Sequence, residues 1–145
     1  MRLSIALGAG ALLAGCGEPA ELGAEKAWVR LPAAGGRPAA AYVTITGGAD
    51  KATLLAVATP AAVRTELHES MTGEHGMAAM APVRQIDVAP GATVALVPGG
   101  KHAMLFDLAP GLKPGGTVPL TLKFAEGRNI TVAAALVAPG DPAPK

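Results

Sequence analysis

Turn signals recur about every ten residues along this chain, and they leave no room for a long helix. Pro32, Gly47-Gly48, Pro60, Pro90-Gly91, Pro98-Gly99-Gly100, Pro110-Gly111 and Glu126-Gly127 each close a short apolar or β-branched run. The runs are 27–31, 41–46, 53–57, 63–69, 83–88, 93–97, 102–108, 118–124 and 129–137. In the fourth, Val63, Thr65 and Leu67 alternate onto one face. Pro119 opens the eighth and points to an edge position. The Ala-rich stretch 58–62 is the one rival for a helix, and Pro60 interrupts it. Nine short strands with regular turns predict an all-β antiparallel sandwich or barrel. Composition agrees. Gly (19) and Pro (13) are about twice their ordinary share, yet half the residues are hydrophobic, so the chain is turn-rich and not disordered. Aromatics are 3%, which leaves an aliphatic core. A length of 145 residues suits one domain.

The N-terminus reads as an address. Arg2 precedes an apolar run over 3–14, broken only by Ser4, too short to span a bilayer and suited to the core of a signal peptide. It ends in Leu13-Ala14-Gly15-Cys16, which looks like a lipobox with Cys16 as the lipidated first residue of the mature chain. The expected organisation is a lipoprotein signal peptide at 1–15, lipidated Cys16 and a tether to 24, a β-sandwich domain at 25–138, and a flexible Pro-rich tail at 139–145. Gly17, in place of an Asp-type retention signal, favours the periplasmic side of the outer membrane over the inner one. Basic residues (12) nearly balance acidic ones (11), which removes the electrostatic case for nucleic acid or an anionic membrane surface. A single Cys excludes an internal disulfide, an iron–sulfur cluster and a Cys-rich zinc site.

The soft donors are concentrated. All three His (68, 75 and 102) and every Met beyond the initiator (71, 77, 80 and 104) lie in residues 68–80 or 102–104. His102 and Met104, two apart on a strand, emerge on one face. His68 leaves its strand on the face opposite Leu67, and Met80 stands where the chain re-enters the sheet after a Met-rich loop, Ser70 to Pro82. Two imidazoles and two thioethers form an uncharged, soft donor set. It selects Cu(I), and it suits neither Mg²⁺ nor Ca²⁺. Blue-copper chemistry needs a Cys thiolate, and the only Cys is in the lipobox. Methionine in an aliphatic protein also serves as core filler. From the residues alone, metal site and core filling stand level.

From His68 to Met104 the sequence resembles the periplasmic copper chaperone family PCu(A)C. Its pattern is a His, a Met twelve positions on, twenty-one intervening residues, then His-x-Met; here that is His68, Met80 and His102-Ala103-Met104 without a gap. Leu67-His68-Glu69, Met80-Ala81-Pro82-Val83 and Pro98 to Leu105 match the surrounding text, as do Trp28-Val29-Arg30 and Ala40 to Ile45 upstream. The resemblance implies a cupredoxin-like Greek-key β-sandwich that binds Cu(I) through His68, Met80, His102 and Met104 and passes it to a partner, notably the binuclear copper centre of cytochrome c oxidase. A monomer without enzymatic activity is expected. Few Ser (4 and 70) and no Gly-x-Ser-x-Gly elbow agree with the lack of activity. Two departures stand out. Many relatives carry Met directly after the first His, where this chain has Glu69, which leaves Met71 as a substitute donor. The His/Met-rich C-terminal tail of some relatives is absent, so a weaker Cu(II) site would rest on His75 with Glu74 or Glu69, and Met71, His75 and Met77 are the candidates for any secondary metal binding. Copper or silver sequestration, or a non-metal structural lipoprotein, are the competing readings.

Overall fold

A computed structural model describes residues 17–145, so the signal peptide and Cys16 lie outside the described residues. The described chain forms ten strands and two single-turn 3₁₀ segments. The strands are β1 (Gly23–Arg30), β2 (Ala39–Thr46), β3 (Ala52–Ala58), β4 (Ala62–Thr72), β5 (Ala78–Pro82), β6 (Ile86–Val88), β7 (Thr93–Ala95), β8 (Lys101–Leu108), β9 (Thr117–Phe124) and β10 (Asn129–Val137). They follow one hydrogen-bonded path, β5-β4-β8-β2-β1-β10-β9-β3-β6, with β7 also on β2. Each neighbouring pair is antiparallel except β1 and β10, which run parallel.

Alternation decides which faces meet. In β9, Val118, Leu120, Leu122 and Phe124 are buried, and the residues between them are exposed or half-buried. In β2, Ala39, Ala41, Val43 and Ile45 are buried on one face. These two rows join Leu54 and Val57 of β3, Leu67 of β4, and Ala103 and Leu105 of β8 in one cluster. Strands remote along the path therefore share a core, which requires the sheet to fold over on itself. The core is aliphatic, with Phe124 its single aromatic member. Trp28 and Tyr42 are buried elsewhere, stacked with ring centroids 4.4 Å apart.

Two local expectations change. The segment 70–82 is not a loop: β4 runs on to Thr72 and pairs with β5 from His68↔Pro82 to Thr72↔Ala78, a hairpin closed by a turn over Gly73–Met77. Pro119 is not on an edge strand, since β9 lies between β10 and β3. Only Thr121–Phe124 pairs with β3, however, so Pro119 stands where β9 has a neighbour on one side alone.

Candidate metal centre

The register of β4 and β8 brings the two distant stretches together. His68 is directly opposite His102, and Glu66 is opposite Met104. Residues facing each other across an antiparallel pair project from the same side. In the hairpin, Ser70 is opposite Met80. Since residues two apart share a face, His68, Met80, His102 and Met104 all project from the side opposite the core-facing Leu67 and Ala103. The same alternation sends Glu69 the other way, where it pairs with Lys101 at 3.1 Å. A thioether at position 69 would start from the wrong face. Met71, opposite Ala79, is also on that far face. His75 and Met77 occupy the hairpin turn, with His75 in the left-handed region at φ 65°.

The two imidazoles are held in complementary ways. Val97–Gly100 forms a turn in which Pro98 fixes one φ and Gly99 takes φ +81°, a conformation that favours glycine. The turn sets the Gly100 carbonyl beside β8, where it accepts the Nδ1 proton of His102 at 3.0 Å. In the neutral ring that bond leaves Nε2 as the unprotonated nitrogen. It is buried and has no hydrogen-bond partner. His68 is the reverse: Nε2 donates to Glu66 Oε2 at 2.9 Å, and Nδ1 is the buried, unpartnered nitrogen. A buried acceptor left without a partner costs about 1–3 kcal/mol. Two such nitrogens on one face suit an incoming cation. The ring centroids are 6.1 Å apart. An imidazole nitrogen lies about 1 Å from its ring centre, so two nitrogen–metal bonds of about 2 Å fit that gap. His102 is 3% exposed, whereas Met80 is 59% exposed, so the donor row runs from a buried to an open position.

The surroundings are aromatic and cationic. The Tyr42 ring centroid is 6.3 Å from that of His102, and Arg30 lies over the Trp28 and Tyr42 rings. Burial raises the Tyr42 phenol above its ordinary value of 10.0, against a smaller opposing pull from Arg30, so Tyr42 is neutral at physiological pH. Arg64 stacks on Phe106 and pairs with Glu66. Sequence reasoning missed Glu66; its signal was a carboxylate two residues before a strand histidine, on the same face. A cavity of about 520 Å³, lined by Lys26, Trp28, Leu96 and Ala143–Lys145 among others, contains none of the four donors.

Comparison with known proteins defines the class first. The fold is that of PCuAC domains: the copper-bound PCuAC domain from PmoF2 superposes with a TM-score of 0.67 at 24% identity, covering 84% of this chain and 99% of that one. The Cu(I)-bound solution structure of DR1885 from Deinococcus radiodurans gives 0.59 at 33% identity, covering 86% and 81%. Within that class the family is specific. Residues 22–136 match the model described as "Putative lipoprotein LpqE-like", and the chain belongs to this LpqE-like family. The "Putative lipoprotein Lxx21020" of Leifsonia xyli subsp. xyli is 34% identical over 110 residues, covering 74% of this chain. The chain matches 64% of that relative's length.

Proposed function

We propose that this protein is a Cu(I) carrier that binds the ion through His68, Met80, His102 and Met104 and delivers it to a recipient such as the binuclear copper centre of cytochrome c oxidase. The observation that carries the reading is the pair of facing histidines, each with one nitrogen tied to an oxygen and the other buried and unpartnered, in a row with two thioethers. The Cu(I)-bound DR1885, a third identical in sequence, supports the choice of ion.

The donor set suits transfer as well as binding. Thioethers carry no charge, so replacing one by a recipient's ligand separates no ion pair. Met80 is exposed at the open end of the row, so exchange begins there and ends at buried His102. We further propose that residues 1–15 are removed, that Cys16 carries the lipid and 17–24 form a tether, and that the domain works on the periplasmic side of a membrane, the outer one by the reading of Gly17. The membership of a lipoprotein family supports the anchor. More than one acyl chain is needed to make such anchoring stable.

The deciding experiment mixes the Cu(I)-loaded domain with an apo oxidase copper domain and follows both by NMR. Delivery predicts that the histidine signals return to their metal-free positions as the acceptor fills. Retention of the ion at equal concentrations would favour sequestration, and absence of Cu(I) binding would end the carrier reading.

A further inference from the structure

His68 and His102 face each other across one strand pair, yet their free nitrogens differ. A carboxylate can only accept from an imidazole N–H, so in the neutral ring the 2.9 Å contact with Glu66 Oε2 selects the Nε2–H tautomer of His68. The Gly100 carbonyl makes His102 the Nδ1–H tautomer by the same logic. We propose that Glu66 is a positioning residue, which turns His68 so that it meets Cu(I) through Nδ1, whereas His102 meets it through Nε2.

The proposal rests on the carrier reading above and adds to it an asymmetric site held by two kinds of anchor. His102 is fixed by the backbone and cannot lose its partner by mutation of a side chain. His68 is fixed by a side chain, and that side chain is itself secured. Arg64, Glu66 and His68 follow one another on the same face of β4. The Arg64 guanidinium pairs with Glu66 Oε1 and stacks 3.9 Å from the centre of the Phe106 ring, directly across on β8. Phe106 thus holds Arg64, Arg64 holds one oxygen of Glu66, and the other oxygen holds the imidazole. Such outer partners orient a ligand and raise its basicity.

The test is carried out on the soluble domain at mildly alkaline pH with ¹⁵N-labelled imidazoles. In the metal-free protein, long-range proton–nitrogen correlations are expected to show Nε2–H for His68 and Nδ1–H for His102. Anaerobic addition of Cu(I) is expected to shift His68 Nδ1 and His102 Nε2. Glu66→Leu is expected to release His68 into a mixture of tautomers, leave His102 unchanged, and weaken Cu(I) about 10–100-fold in a chelator competition. Glu66→Gln offers one oxygen where Arg64 and His68 Nε2 both need an acceptor, and is expected to hold the Nε2–H tautomer and the affinity at values between those of Glu66→Leu and the unaltered domain. An Nδ1–H tautomer for His68, a copper-induced shift larger at its Nε2 than at its Nδ1, or a Glu66→Leu domain with unchanged tautomer and affinity would each overturn the assignment. Failure of the unaltered domain to bind Cu(I) would instead overturn the carrier reading, and the metal-free tautomers would still decide what Glu66 does.

Discussion

His102 combines three properties that rarely coincide: it is almost fully buried, one nitrogen is tied to the backbone, and the other has no partner. Removing it deletes a preorganised donor, and removing Met104 deletes its same-face neighbour. His102→Ala and Met104→Leu are each expected to weaken Cu(I) by at least the 10–100-fold typical of lost outer-shell partners, read by chelator competition. Met77→Leu, in the hairpin turn with 70% of its surface exposed, is expected to change affinity little. Equal effects at Met77 and Met104 would refute the ligand assignment. The four proposed ligands could be singled out in the sequence because their spacing is a property of the chain itself. Glu66 could not. Alternation puts it on the face of His68, but that its carboxylate turns to the imidazole depends on Arg64 and Phe106, and strand pairing alone brings Phe106 there.

The strands with one buried face were the easiest to read. In β9 a period of two is imposed by burial, and β10 runs over 129–137 as its sequence suggested. Leu122 is fully buried in that row, and Leu122→Ala is expected to cost about 2–5 kcal/mol in denaturant unfolding. The β4–β5 hairpin escaped notice for the complementary reason. Residues Ala78 to Met80 of β5 are all exposed, so no burial period marks them, and Gly73 and Gly76 suggested a loop. A polar contact also ties short β6 to β3. Asp87 accepts from Thr53 and pairs with Lys51 at 3.3 Å. The Thr53 hydrogen bond first, and then Lys51, hold the Asp87 carboxyl below its ordinary 3.8. An acid with a lowered folded value stabilises above the unfolded value and loses that contribution as pH falls through the folded one. Asp87→Asn is therefore expected to flatten the loss of stability as pH falls from about 4, measured by urea unfolding across that range. A pH slope identical to the unaltered protein would show that the contact carries no weight.

For the whole molecule, the proposed ligation sets protons and copper in competition for the same two imidazoles. A protonated imidazole cannot ligate, so Cu(I) affinity is expected to fall between about pH 8 and about pH 5.5. Equal affinities at the two values would contradict histidine ligation. The overall architecture was legible because turn residues and aliphatic runs divide the chain so regularly. The single parallel pairing was not, since nothing local in β1 or β10 states which way its neighbour runs. That pairing has a consequence for reach. Because β1 and β10 run the same way, the chain enters the sheet at one end and leaves it at the other. Trp28 lies level with Tyr42, and Tyr42 borders His102, so the facing histidines sit about five residues along β1 from Gly23, whereas Met80, level with Ser70, stands nearer that end. An attachment that precedes Gly23 would thus grip one end of the sheet and leave the opposite end, where β10 departs, free for a partner to approach.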